Sequence, residues 1–188
     1  GAKSRYGIAA MALTRACKEH NIRMVVPQCY VNEMAAHGLG ALDKIDIYKN
    51  LPCDARSSLR ASGNAYPSHY THISETINSA GNELSLEEFL AHFGIRNGHS
   101  LNRVENNIID ILDSHNIRIL PSERYDQDIL KRISNKKPYE VPILIEHDAR
   151  VCTKLKNDDD HGFIFATWDK IIIKVVEGIA RVFADSPA

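Results

Sequence analysis

No stretch of this sequence approaches the ~20 consecutive apolar residues that a membrane-crossing helix requires. The N-terminus lacks a basic-then-apolar pattern, so a secretion signal is not expected. Neither charge dominates: 23 Lys and Arg stand against 24 Asp and Glu, a net charge of −1. That excludes a wholesale cationic surface and leaves room for local basic patches. The four cysteines (Cys17, Cys29, Cys53 and Cys152) form no Cys-x-x-Cys pair. Scattered single thiols suit a reducing, cytoplasmic setting better than a disulfide framework. Among nine histidines the nearest pair, His69 and His72, has no second pair to complete a closed zinc site. What is present is ordinary for a soluble globular protein: 188 residues, 44% apolar and 25% charged, enough for one domain or one domain with a long insertion.

Helical and strand patterns alternate along the chain. Ile8, Met11, Ala12 and Ala16 recur at helical spacing and predict a helix over 4–20. Arg23–Pro27 is a short β-branched run closed by proline, a strand running into a loop. A helix is expected from about Cys29 to Asn50, and another around Val104, Ile108, Ile111 and Leu112. Ile117–Leu120, before Pro121, reads as a second strand. Helices over 126–133 and 142–157 follow, the latter opened by a well-placed proline. Gly162–Thr167 reads as a third strand, Asp169–Gly178 as a helix with an acidic N-cap, and Ala180–Ala184 as a last strand. Strands separated by helices predict parallel pairing, an α/β fold of the three-layer α/β/α kind. The whole chain, 1–188, then forms one domain. Residues 52–100 break the rhythm and read as an inserted, mainly helical subdomain, either substrate-contacting or a tolerated surface insertion. Within it Ser85-Leu86-Glu87-Glu88 is a capping box, with Leu86, Phe89, Leu90 and Phe93 on one face.

In an open parallel sheet, ligands bind beyond the carboxyl ends of the strands. Three acids are expected at that edge. Asp169 stands two residues after Thr167, at the end of GFIFAT. Glu33 lies in the first turns after RMVVP. Asp148 lies on the helix preceding GFIFAT, which runs antiparallel to the strands. Taken singly, Asp169 also reads as a helix N-cap and Glu33 as a solvent-facing helix residue. Asp148 is harder to dismiss, because Leu144, Val151, Cys152 and Leu155 mark the apolar stripe beside it. A carboxylate there must be paired or metal-bound. Clustered oxygen ligands without histidine or cysteine favour Mg²⁺ or Mn²⁺, and such an ion supports phosphodiester hydrolysis. Glu33, Asp148 and Asp169 are the expected metal ligands, and Thr167 is expected to support the metal-bound water. Without an ion, repulsion among the acids should raise at least one carboxyl pKa.

At these residues the sequence resembles the PIN-domain nuclease family. The resemblance is carried by VVPQCYVNEMAAH with Glu33, IEHDARVC with Asp148, and FIFATWDK with Thr167 and Asp169. It covers roughly 4–50 and 104–188 and leaves the insertion unmatched. It implies a parallel sheet, a site of about four acids holding one or two divalent cations, and endonucleolytic cleavage of RNA. Many members are toxins with a small antitoxin protein as partner, and the wider superfamily includes DNA nucleases. The family's first acid ends a strand that precedes the first helix, and no residue here corresponds to it. The reading is an N-terminally truncated fragment of such an endoribonuclease, the alternative a catalytically incomplete module that binds nucleic acid or protein. RNA, an antitoxin-like protein and a second copy in a homodimer are the partners considered, with no membrane.

The remaining candidates have bland alternatives. Asp158-Asp159-Asp160-His161 resembles a metal loop, but reads better as a solvated connection at the far edge. His147 could assist proton transfer or simply pack, and Asn32 could orient a water or lie exposed. Arg150, Lys154, Lys170 and Lys174 flank the acids, and Arg56, Arg60, Arg96 and Arg103 mark the insertion, as phosphate contacts or as solubilising charges.

Overall fold

The computed structural model describes residues 5–49, 64–78, 84–158, 162–167 and 169–176. The chain divides into two units, Gly1–Leu120 and Pro121–Ala188. The first contains α1 (Arg5–Glu19), β1 (Val25–Pro27), α2 (Gln28–Leu42), α3 (Ile45–Lys49), α4 (Ala65–Asn78), α5 (Leu86–Ala91), α6 (Leu101–Ser114) and β2 (Arg118–Leu120). β1 and β2 pair in parallel, with Val25 opposite Arg118, Val26 opposite Ile119 and Pro27 opposite Leu120. Pro27 also caps α2 in an extended conformation, so the helix starts where the strand stops.

The core of this unit forms where helical faces repeat every third or fourth residue. Val31 and Ala35 come from α2, Leu86, Phe89 and Leu90 from α5, and Val104 and Ile108 from α6. Full burial of such side chains contributes roughly 1.5–3 kcal/mol each. Ile95, also in this core, comes so near α2 that a Cβ on Gly38 would lie 2.3 Å from its Cδ1. Gly94 has φ +69°, and a Cβ there would lie 2.5 Å from that of Asn107. The Asn107 amide donates to the Gly94 carbonyl at 2.7 Å, so conformation and contact both demand glycine.

Several expectations about this unit change on inspection. The helix expected over 29–50 is two helices, because the chain tightens at Asp43 and Lys44, whose N–H groups bond the carbonyls of Leu39 and Ala41. The described part of 52–100 packs into the core through α5 and Ile95, with edge-on rings at Tyr66–Phe93 and Phe89–Phe93. Residues 52–63 and 79–83 of that stretch lie outside the described residues. The capping box at Ser85 is present: its hydroxyl accepts from the Glu88 N–H, and the Glu88 carboxylate accepts from the Ser85 N–H.

The second unit contains α7 (Gln127–Lys136), α8 (Pro142–Lys156) and α9 (Lys170–Val176). Its core joins Ile129 and Ile133 of α7, Ile145, Ala149 and Cys152 of α8, and Ile172, Val175 and Val176 of α9. The strand expected at 162–167 has no ladder partner among the described residues. Its alternation survives all the same. Phe163 and Phe165 are half-buried and Ile164 is exposed, because Phe165 meets the apolar core and Phe163 lies under the Lys154 ammonium. An alternating pattern reports one covered face, and it does not by itself supply a neighbouring backbone to pair with. The strand expected at 180–184 lies outside the described residues. Among the described residues the architecture is therefore mixed and mostly helical, with a small two-stranded parallel sheet. Among the described residues no helix is long and apolar enough to cross a membrane.

Two glycines of one helix predict opposite outcomes. Gly40→Ala meets nothing within 4 Å and should stabilise by about 0.5–1 kcal/mol, the helix-propensity difference. Gly38→Ala must displace Ile95 and should destabilise by about 1–3 kcal/mol, as overpacking does. Urea unfolding of both variants checks the pair of signs.

Candidate functional site

Three helices of the second unit bring Lys137, Asp148 and Asp169 together. Asp126 caps α7, its Oδ1 accepting from the N–H groups of Asp128 and Ile129. Ile129 and Ile133 face inward four residues apart, and one more step of four along that face reaches Lys137, the residue that ends the helix. Its side chain is only 10% exposed. The Lys137 Nζ lies 2.7 Å from Asp148 Oδ2 and 2.5 Å from Asp169 Oδ2. Two oxygens held by one nitrogen at hydrogen-bond length are within roughly 5 Å of each other. Asp148 and Asp169 are thus neighbours, as the sequence suggested.

Each aspartate is held by its own helix. Asp148, 14% exposed, sits in the middle of α8 beside a buried face of Ile145, Ala149 and Cys152. Of the expected stripe, Val151 and Cys152 are buried, Leu155 packs against this core and Leu144 is half-buried. Asp169 precedes α9 and caps it: Oδ1 accepts from the N–H groups of Ile171 and Ile172 at 2.8 and 3.2 Å. That leaves Oδ2 for Lys137. The Thr167 hydroxyl accepts from the Asp169 N–H at 3.1 Å and so fixes the backbone from which the carboxylate projects. The N-cap reading of Asp169 holds on Oδ1, and Oδ2 meets Lys137.

The electrostatics follow from this geometry and correct one expectation. Burial alone pulls the Lys137 ammonium down, but hydrogen bonds to Asp148 and Asp169 outweigh it and hold its pKa above the ordinary value. At Asp169, partial burial works against the charged form. The Lys137 hydrogen bond and the two backbone N–H groups prevail and keep the carboxyl below its usual range. An upward shift from acid–acid repulsion does not develop at Asp169, because an ammonium stands between the carboxylates. Under the cluster, burial pushes the Cys152 thiol up to about 12, with the Asp148 charge adding to the rise. That thiol stays neutral and is no nucleophile at ordinary pH.

The other candidates are used locally. In the first unit, Glu33 Oε1 lies 3.6 Å from His37 Nε2, one turn along α2. Asn32 donates to the Glu105 carboxylate on α6 at 2.6 Å, which joins those two helices instead of lying exposed. His147 is buried in α8. Arg150 donates to the Glu123 carbonyl at 2.5 Å, and Lys154 meets the Glu123 carboxylate at 2.6 Å, so both are committed to the segment entering α7. Lys170 and Lys174 are exposed on α9, and Arg96 and Arg103 are exposed in the first unit. Arg56 and Arg60 lie outside the described residues, as do Asp159, Asp160 and His161. Asp158 accepts from the Phe163 N–H at 2.8 Å, a loop-closing role.

As they stand, these residues do not fit a divalent cation. The oxygens that face each other are already bonded to an ammonium, and among the described residues no three His, Cys, Asp or Glu side chains are grouped to hold a metal. Sequence reasoning required a partner for Asp148 and missed Lys137. The signal was present in the 129, 133, 137 spacing. No protein-family model matches the sequence, and no match was found among curated proteins or solved structures.

Lys137→Met leaves two carboxylates facing each other and should destabilise the second unit by about 2–4 kcal/mol. That is below the cost of breaking a fully buried pair, because Asp169 is partly exposed and screened. The signs of the pH dependence are distinct. In the native protein the low Asp169 pKa contributes stability above its usual 3.8, lost as pH falls through the folded value. The raised Lys137 pKa contributes below its usual 10.5, lost as pH climbs through the folded value. In Lys137→Met, repulsion raises the folded carboxyl pKa, so stability should increase as pH falls from neutral toward 5. Calorimetry across that range reads the reversal.

Proposed function

We propose that this chain is a PIN-like nucleic-acid-binding module whose acidic cluster is bridged by its own lysine and is catalytically incomplete. The observation that carries the reading is the Lys137 ammonium bonded to both Asp148 and Asp169. An ammonium relieves carboxylate repulsion as a cation must, but it carries a single charge and offers only protons. It has no open coordination position for a water or a phosphate oxygen. The nucleic-acid class comes from the resemblance at Glu33, Asp148, Thr167 and Asp169. It is supported by the exposed cations Lys131, Arg132 and Lys136 of α7 and Lys170 and Lys174 of α9, on the same helices that supply Lys137 and Asp169.

A second reading, a Mg²⁺- or Mn²⁺-dependent endoribonuclease, is favoured by one feature. Two carboxylates within roughly 5 Å have a separation that one divalent ion can span. Labelled single-stranded RNA, with a DNA strand of matched sequence, separates the readings. The binding-module reading expects anisotropy to report RNA binding that persists in chelator and weakens with salt, with both strands uncut when Mn²⁺ is added. RNA cleavage that needs Mn²⁺ and disappears in Asp148→Asn would establish the nuclease instead, and cleavage confined to the DNA strand would make it a DNA nuclease. Absence of binding to either strand would remove the module reading.

A further inference from the structure

Tyr139 is 99% exposed, more than any other large hydrophobic side chain among the described residues. It stands at the corner of a tight turn. The Glu140 N–H bonds the Lys137 carbonyl at 3.1 Å, with Pro138 and Tyr139 between them. Proline presets the backbone at the first corner position of such a turn. The turn is anchored at both ends: Lys137 is held inward by two aspartates, and Pro142 opens α8 behind Val141. An aromatic ring on a fixed turn loses little conformational freedom when something stacks on it.

Cations outnumber acids in the exposed sequence leading into this turn, where Lys131, Arg132 and Lys136 stand against Asp128, with Glu140 following the ring. Arg132 and Lys136 lie seven and three residues before Tyr139, at the exposed C-terminal end of α7. Neither makes an ion pair among the described residues. The nearest acid in sequence, Glu140, turns its carboxylate onto the Val141 N–H at 3.1 Å. Asp128, the exposed acid of α7 itself, lies at the helix's opposite end and beside its N-cap. Val141 and Ile143, both about half exposed, extend the apolar strip past the ring. A flat apolar face on a segment that also carries exposed cations matches a ligand with flat bases and a phosphate chain.

We propose that the 132–143 turn is a single-stranded RNA contact, with a base stacked on Tyr139 and adjacent phosphates met by Arg132 and Lys136. This rests on the binding-module reading and adds to it the strand type and the residues that hold it. It also assigns Lys137 a positioning role, since the residue that closes the acidic cluster is the first residue of the turn.

The test uses the full chain and a fluorescein-labelled oligouridine, read by anisotropy, with thermal melts as a control. Tyr139 buries nothing, so Tyr139→Ala should melt as the native protein does and bind about 5- to 150-fold more weakly, the range of one lost base stack. Tyr139→Phe should bind within about twofold of native, because stacking needs the ring and not the hydroxyl. Arg132→Gln with Lys136→Gln should flatten the log–log salt slope by roughly 1.4, two phosphate contacts to a single strand. If the native chain binds the oligomer and Tyr139→Ala binds equally well, this surface is wrong and the module reading stands. If the native chain does not bind, the module reading fails first. If Tyr139→Ala instead abolishes self-association in sedimentation and leaves RNA binding intact, the turn is an interface between copies and the proposal is overturned.

Discussion

The three helices described in the second unit meet at one ammonium group. Lys137 ends α7, Asp148 sits in mid-α8 and Asp169 opens α9, so one nitrogen ties together the three helices that share the Ile/Val core. The arrangement also suits the helix ends. A cation lies at the C-terminus of α7, where backbone carbonyls carry partial negative charge, and an anion lies at the N-terminus of α9, where N–H groups carry partial positive charge. Opposite charges 4 Å apart attract by about 4 kcal/mol at an effective dielectric of 20, before the cost of removing them from water. That cost removes most of the net stabilisation. What the triad supplies is selectivity: packings that leave either carboxylate unpaired are penalised.

The first unit is organised differently, by close approach of apolar faces. Small residues along α2, at Ala35, Gly38 and Ala41, are buried, and at Gly38 Ile95 and the Tyr66 ring of α4 come in close. Polar groups there serve as ties between packed elements. Asn32 links α2 to Glu105 of α6, and the Tyr70 hydroxyl donates to the Leu84 carbonyl at 2.9 Å. Such bonds contribute about 1 kcal/mol each and mainly define the register of the helices.

The legible part of the fold was the part written in helical period and in capping chemistry. The stripe at Val104 and Ile108, the Ser85–Glu88 box and the proline opening α8 all stand where the sequence put them, because each depends on residues within one or two turns. The segment expected as a strand at 162–167 has no ladder partner among the described residues for the opposite reason. Its alternation is local, but whether it joins a sheet depends on a neighbouring edge that its own residues do not encode. At the site, the sequence supplied both aspartates and the threonine. It missed the lysine, since a charged residue at a helix end is ordinarily a solvated one. Only its position four residues beyond Ile133 marks it as inward-facing.

The lysine also bears on what an acidic cluster signifies. Carboxylates brought together by a fold must be neutralised, and a divalent ion and an ammonium both meet that requirement. They differ in what else they can do. A divalent ion adds two charges, accepts further oxygen ligands and acidifies bound water. An ammonium adds one charge and directs its protons at the oxygens it already holds. With Lys137 in place, two carboxylates and one ammonium leave one formal negative charge in a site 10–34% exposed at its side chains. A phosphate would meet net repulsion there. On the binding-module reading, the exposed cations of α7 and α9 and the ring of Tyr139 are therefore better suited to a polyanion than the acidic cluster, whose part is to join the helices that carry them.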